Sequence, residues 1–263
     1  MNWGKSLSEF REFNKTFQII HQTKTTSDTS RLFILDSSFN PPHLAHYSLV
    51  KTSIDYEAYK NDRNCSTVLL LLSISNADKA DGEPASLEQR IDMIILLAEH
   101  ITKSLGLPAA VALTSCPKFA DKCKAIQNHS RELALPKSRL TFLVGFDTII
   151  RILDQKYYTS PMSVALRDLF QDSDFLVLTR EDKKYSIQYQ LSYVKQLHAG
   201  SLKAIPNDWA SRIYMVVNDN LLEADISSSA VRSDIKNGKL HWQEKTIPEI
   251  ATYIKEKSPY IKL

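Results

Sequence analysis

Six glycines in 263 residues leave little material for a glycine-built phosphate cradle. Neither GxGxxG nor the GxxxxGK pattern followed by Ser or Thr occurs, so phosphates are held by neither a dinucleotide fingerprint nor a P-loop. Cysteine is scarce too. Cys65, Cys116 and Cys123 are odd in number and form no closely spaced ligand pair, which argues against a disulfide framework and a structural zinc site. The longest apolar run, Val68 to Leu72, is far short of the roughly 20 residues that cross a bilayer. Lys5, Glu9, Arg11 and Glu12 interrupt the N-terminus, so it does not read as a secretory signal. Basic residues outnumber acidic ones by only 33 to 30, which gives no general attraction to nucleic acid or membrane. The expectation is an intracellular chain, cytoplasmic or nuclear, with small-molecule partners.

What is present is ordered alternation. Leu7, Phe10, Phe13, Phe17 and Ile20 recur at helical spacing and predict an amphipathic helix, followed by a polar linker to Ser30. Residues 1–30 thus read as a helix and linker, and 31–263 as one domain. Six strands are predicted within it: Arg31–Asp36, Thr67–Ile74, Ala109–Thr114, Arg139–Val144, Asp174–Thr179 and Arg212–Val217. Most are continuous apolar runs, as parallel strands buried on both faces require. Helical patterns cover His43–Ile54, Phe146–Asp154, Ile187–His198, Ser228–Asn237 and Ile247–Lys255. Another starts at Leu87, with Ser86 and Gln89 placed for a capping box. Gly238 is placed to stop the helix before it. Strands alternating with helices predict an α/β fold with a doubly wound parallel sheet.

Polar clusters follow the carboxyl ends of several predicted strands: Ser37–His46, Asn76–Lys79, Gly145–Asp147 and Arg180–Asp182. Ser227–Arg232 follows the last strand after a short loop. Ligands of open α/β sheets bind beyond that edge, so these remote segments should converge on one site.

Two clusters carry distinct chemistry. In Ser37-Ser38-Phe39-Asn40-Pro41-Pro42-His43-Leu44-Ala45-His46, the prolines end the strand and a helix begins near His43. His43 and His46 are three residues apart and share a helix face, beside free backbone N–H groups and the positive end of the helix dipole. That combination is an anion site with two titratable rings. A metal site is the rival chemistry, but no third ligand is evident nearby. In Ile226-Ser227-Ser228-Ser229-Ala230-Val231-Arg232, serines open a helix and Arg232 returns to the face of Ser229 one turn on.

These two segments resemble the HxGH and ISSTxxR signatures of the nucleotidyltransferase superfamily, and Ser-Phe-Asn-Pro resembles the form found in nicotinamide-mononucleotide adenylyltransferases. The chain is most similar to the fungal promoter-of-filamentation branch, from about Arg31 onward. The resemblance implies a Rossmann-like nucleotidyltransferase domain with an N-terminal helical extension. It also implies adenylyl transfer from ATP, with Mg²⁺, to nicotinamide mononucleotide, giving NAD and pyrophosphate. His43 would then stabilise the α-phosphate, while His46, Ser228, Ser229 and Arg232 hold the outer phosphates. Ser37, Ser38, Phe39 and Asn40 would line the nucleotide. Gly145 and Asp147 would take the adenosine, Lys79 would lie near the substrate phosphates, and Arg180 would meet the mononucleotide phosphate. Arg90 reads equally as ligand or structural ion pair. Phe119, Tyr157 and Tyr158 are the nearest rings for a nicotinamide, since Trp3, Trp209 and Trp242 lie outside the matching positions.

Two positions depart from the family pattern. Ser37 replaces a glycine, so a left-handed turn there would be strained. Ala45 replaces the glycine of HxGH. The alternatives are a transferase that uses nicotinic acid mononucleotide or another phosphorylated acceptor, and an ATP-binding or slowly ATP-hydrolysing protein that docks partners through its N-terminal helix.

Overall fold

The computed structural model describes residues 3–24, 29–74, 85–129, 132, 138–180, 184–217 and 226–260. Seven strands form one sheet: β1 (Phe17–Gln22), β2 (Arg31–Ser37), β3 (Ser66–Ser73), β4 (Ala109–Thr114), β5 (Arg139–Gly145), β6 (Ser173–Leu178) and β7 (Ile213–Val216). Their spatial order is β1-β4-β3-β2-β5-β6-β7. β1 runs antiparallel to β4, and all the other pairs are parallel. Successive strands depart in opposite directions from the β2–β5 boundary, so this boundary is the topological switch point of a doubly wound sheet.

The helices are α1 (Trp3–Glu12), α2 (Leu44–Asp55), α3 (Leu87–Leu105), α4 (Phe119–Asn128), α5 (Phe146–Ile152), α6 (Met162–Ala165), α7 (Arg167–Asp172), α8 (Ile187–His198), α9 (Ser228–Lys236) and α10 (Pro248–Lys257). All eight residues of β3 are buried, as a central parallel strand needs. One core cluster packs α1, α2, α3, α9 and α10 on one face of the sheet. The other packs α4, α5, α7 and α8 on the opposite face. Each fully buried Leu, Ile, Val or Phe in these layers contributes about 1.5–3 kcal/mol. No helix of the described residues is long and apolar enough to cross a membrane.

The N-terminal helix is shorter than its periodicity suggests. It stops at Glu12, Asn14 turns with φ 46°, and Phe17–Gln22 pairs with β4 instead of continuing the helix. The reading of Phe17 and Ile20 as helical is therefore corrected. Trp3, Leu7 and Phe10 are buried in the chain's own core, and the Trp3 indole donates to Asp92 of α3 at 2.7 Å. The capping box at α3 is present in both directions: Gln89 N–H reaches Ser86 Oγ at 3.2 Å, and Ser86 N–H reaches Gln89 Oε1 at 2.9 Å.

Candidate active site at the switch point

A cavity of about 760 Å³ opens at the carboxyl edge of the sheet. Ser37, Ser38 and Asn40 line it from the β2–α2 loop, and Ser227, Ser228, Ser229 and Arg232 from the start of α9. The two motifs are 187 residues apart at their point of contact, where Ser228 Oγ donates to the Pro41 carbonyl at 2.8 Å. Arg232 Nη1 donates to the Asn40 carbonyl at 2.6 Å, and its Nη2 lies 3.2 Å from Ser229 Oγ. The two walls therefore face each other and are bonded together. α9 is capped by Ser227, whose hydroxyl accepts from Ala230 N–H at 3.2 Å. The N-termini of α2 and α9 thus bring two sets of free N–H groups and two dipole ends to this end of the sheet.

The loop between β2 and α2 is held from several sides. Arg90 is 2% exposed and clamps the Ser38 carbonyl through Nε at 2.9 Å and Nη2 at 2.6 Å. It clamps the loop and also lines the cavity. Asn40 Oδ1 accepts from Ala85 N–H at 3.2 Å and from the Tyr260 hydroxyl at 3.0 Å. The Asn40–Pro41 peptide is cis. The left-handed residue is Phe39, with φ 46°, and not Ser37, which remains in β2 paired with Leu72. A left-handed Phe costs about 1–2 kcal/mol. Full burial of its ring and contact with His46 at 5.0 Å offset that cost.

The two imidazoles lie with ring centroids 3.8 Å apart. His46 Nδ1 accepts from the His43 backbone N–H at 3.1 Å. An accepting Nδ1 places the proton of the neutral ring on Nε2, which therefore donates to Ser37 Oγ at 3.0 Å. Both His46 nitrogens are thus engaged within the protein. His43 differs: its Nδ1 is buried with no hydrogen-bond partner among the described residues. Burial drives both rings neutral. His43, also repelled by His46, falls well below the usual histidine range, and His46 falls to about 3. Both rings therefore begin as uncharged donors rather than the adjustable cations expected from sequence. A triphosphate beside them would oppose that shift by favouring the charged form.

The opposite wall comes from α4, α5 and the turn after α5. It carries Lys118, Phe119, Lys122, Thr148, Arg151, Ile152, Tyr157 and Tyr158, together with Asp36 and Ser73 at the strand ends. Phe119, Tyr157 and Tyr158 do line the cavity, as sequence reasoning suggested. Lys122, Lys118 and Arg151 were missed because they sit in segments with no motif, and Asp36 because it precedes the motif as the last residue of a predicted strand.

Phe39, His43, His46, Gly145, Asp147 and Arg180 are not among the residues lining the cavity; the two histidines lie behind Ser37 and the loop that follows it. Gly145 is the N-cap of α5, and Asp147 and Arg180 form an ion pair at 3.2 Å, each about half exposed. Asn76–Lys79 lies outside the described residues, so the structure gives no position for Lys79. The same holds for Asp182.

A doubly wound sheet, with paired histidines at the first crossover and a serine-capped helix bearing arginine opposite, defines a nucleotidyltransferase-type architecture. A Schizosaccharomyces pombe protein, provisionally named a nicotinamide mononucleotide adenylyltransferase, is 34% identical over 260 residues, covering 98% of this chain and 96% of that protein. Two solved structures of a Plasmodium falciparum nicotinic acid mononucleotide adenylyltransferase, complexed with APC and with NaAD, superpose with TM-scores of 0.54 and 0.55. Each covers 88% of this chain and 97% of its own at 15% identity, and shows the likeness of fold. No protein-family model matches. The chain belongs to the nicotinamide mononucleotide adenylyltransferase family.

Proposed function

We propose that the chain transfers the adenylyl group of ATP to nicotinamide mononucleotide. A 5′-phosphate oxygen of the acceptor attacks the α-phosphorus, the bond from that phosphorus to the α–β bridging oxygen breaks, and pyrophosphate leaves as NAD forms. No protein nucleophile is needed. Such transfer depends on positioning and on neutralising charge. The observation that carries this reading is the pair of motif-bearing walls bonded together across one cavity, through Ser228 to Pro41 and Arg232 to Asn40.

In this reading the outer phosphates lie between the N-termini of α2 and α9, beside Arg232 and Ser229. His43, whose Nδ1 has no partner among the described residues, would serve the α-phosphate. His46 acts through Ser37. Magnesium enters as part of the nucleotide substrate. Among the described residues no three His, Cys, Asp or Glu side chains cluster as a dedicated metal cage. The proposal includes an intracellular place of action, cytoplasmic or nuclear.

Purified protein with ATP, Mg²⁺ and nicotinamide mononucleotide should release pyrophosphate and form NAD in equal amounts. ATP binding by calorimetry without NAD formation would refute transfer. That result would support the second reading, an ATP-binding or slowly hydrolysing protein, which draws on the internal engagement of both His46 nitrogens. Nicotinic acid mononucleotide is the alternative acceptor, and Lys118 and Arg151 on the cavity wall suit its extra charge.

A further inference from the structure

The end of β2 divides the cavity in two. Successive residues of a strand point to opposite faces, so Ser37 and Asp36 cannot serve the same side. Ser37 turns to His46 on the α2 face. Asp36 turns to Lys122 on the α4 face, where Lys122 Nζ donates to Asp36 Oδ2 and Ser73 Oγ donates to Oδ1 at 2.9 Å. The phosphate-binding features all lie on Ser37's side. Asp36's side has a different character: it carries the rings of Phe119, Tyr157 and Tyr158, with Lys118 and Arg151 further along the wall.

The buried pair is unequal. The Lys122 side chain is 1% exposed and that of Asp36 is 10% exposed. Both line the cavity, and the carboxylate is the more exposed member, with the ammonium held against it. Each carboxylate oxygen keeps lone-pair capacity beyond the one bond it receives. The Phe119 ring adjoins the pair, with Lys122 Nζ 5.1 Å from its centroid. Phe119 packs edge-on against Phe142 at 5.3 Å, so its position is fixed by the core. A flat heteroaromatic ring lying against Phe119 would direct a substituent toward Asp36.

The geometry points to Asp36, held by Lys122, as the group that selects an uncharged carboxamide over a carboxylate on the acceptor's ring. This rests on the adenylyltransferase reading and deepens it. An amide N–H gives the carboxylate a donor. A ring carboxylate offers Asp36 no donor and sets a second negative charge beside it, where Lys122 is already engaged.

The test compares nicotinamide and nicotinic acid mononucleotides in the wild type, Asp36→Asn, and Asp36→Asn combined with Lys122→Met. The single variant frees the Lys122 charge and should shift the ratio of acceptor kcat/KM by about tenfold or more toward the acid. The double variant removes both charges and should show little preference, with a fold no longer dependent on the pair. Affinities of both acceptors by calorimetry read the same ratio without requiring turnover. An unchanged ratio in folded variants overturns the proposal while leaving adenylyl transfer intact. A wild type that binds the amide and acid equally overturns it as well. A wild type that binds the amide better but joins neither acceptor to ATP refutes the transferase reading and leaves the selection by Asp36 standing.

Discussion

His46 Nε2 lies 3.0 Å from Ser37 Oγ, and because His46 Nδ1 already accepts a backbone N–H, the imidazole is the donor in this pair. Ser37 Oγ lies 3.5 Å from the Phe39 N–H as well. A hydroxyl that accepts twice has one proton left to give, and Ser37 lines the cavity. The serine thus stands where the histidine would otherwise meet the ligand. Ser37→Ala leaves a buried N–H unpaired and should cost about 1–3 kcal/mol in urea unfolding. Ser37→Gly, which restores the family residue, should raise the KM for ATP less than the alanine variant does, because His46 regains direct access. Equal steady-state constants for the two variants would rule out this division of labour.

Arg232 is bonded to the neighbouring wall and lines the cavity. Arg232→Ala should lower kcat by roughly 10²–10³, the usual cost of one preorganised charge donor. Arg232→Lys retains charge but loses the fork that spans Asn40 and Ser229, so it should recover only part of that loss. Pyrophosphate-release kinetics alongside a melting curve separate the chemical loss from unfolding.

For His43, whose Nδ1 has no partner among the described residues, substitution by alanine removes no side-chain bond from that atom. The variant should keep a melting temperature within a few degrees of wild type while turnover falls by about two orders of magnitude or more. Near-normal turnover would remove His43 from the mechanism.

The clamp on Ser38 is structural. Arg90→Ala leaves the Ser38 carbonyl without its two donors and opens a hole in the core, so a loss of roughly 3 kcal/mol or more is expected in chemical denaturation. Arg90→Lys can replace one bond only and should fall between.

Stability should also depend on pH. His46 titrates at about 3 in the fold and near 6.5 in a free chain, so the unfolded state binds more protons between those values. Stability is fully present above about pH 6.5 and is lost as pH falls toward 3, by up to about 1.4 kcal/mol per unit. His43 acts in the same direction. His46→Gln should flatten the slope of unfolding free energy between pH 6 and pH 4. A slope as steep as that of the wild type would assign the acid sensitivity elsewhere.

The sheet was largely readable from residues because six of its strands are parallel and buried, which writes unbroken apolar runs into the sequence. β1 was not. Phe17 and Ile20 happen to continue the spacing of Leu7 and Phe10, and pairing with β4 overrides that local pattern. Asn14, a residue tolerant of left-handed backbone, was the available signal for the break. The two bonded walls were legible because their residues sit in short motifs. Asp36 and Lys122 are 86 positions apart, and Lys122 belongs to a stretch whose charge looks like any solvated helix face. The inward position of Lys122 follows from how α4 packs. Likewise, the engagement of Ser37 with His46 emerges only once the left-handed residue is known to be Phe39.

The Tyr260 hydroxyl reaches Asn40 across 220 residues of chain. On the ribosome, the loop that begins the site therefore waits for a partner more than two hundred residues on. Residues 36–46 emerge well before Tyr260, so nascent fragments stopped short of residue 260 lack one support of the loop after β2.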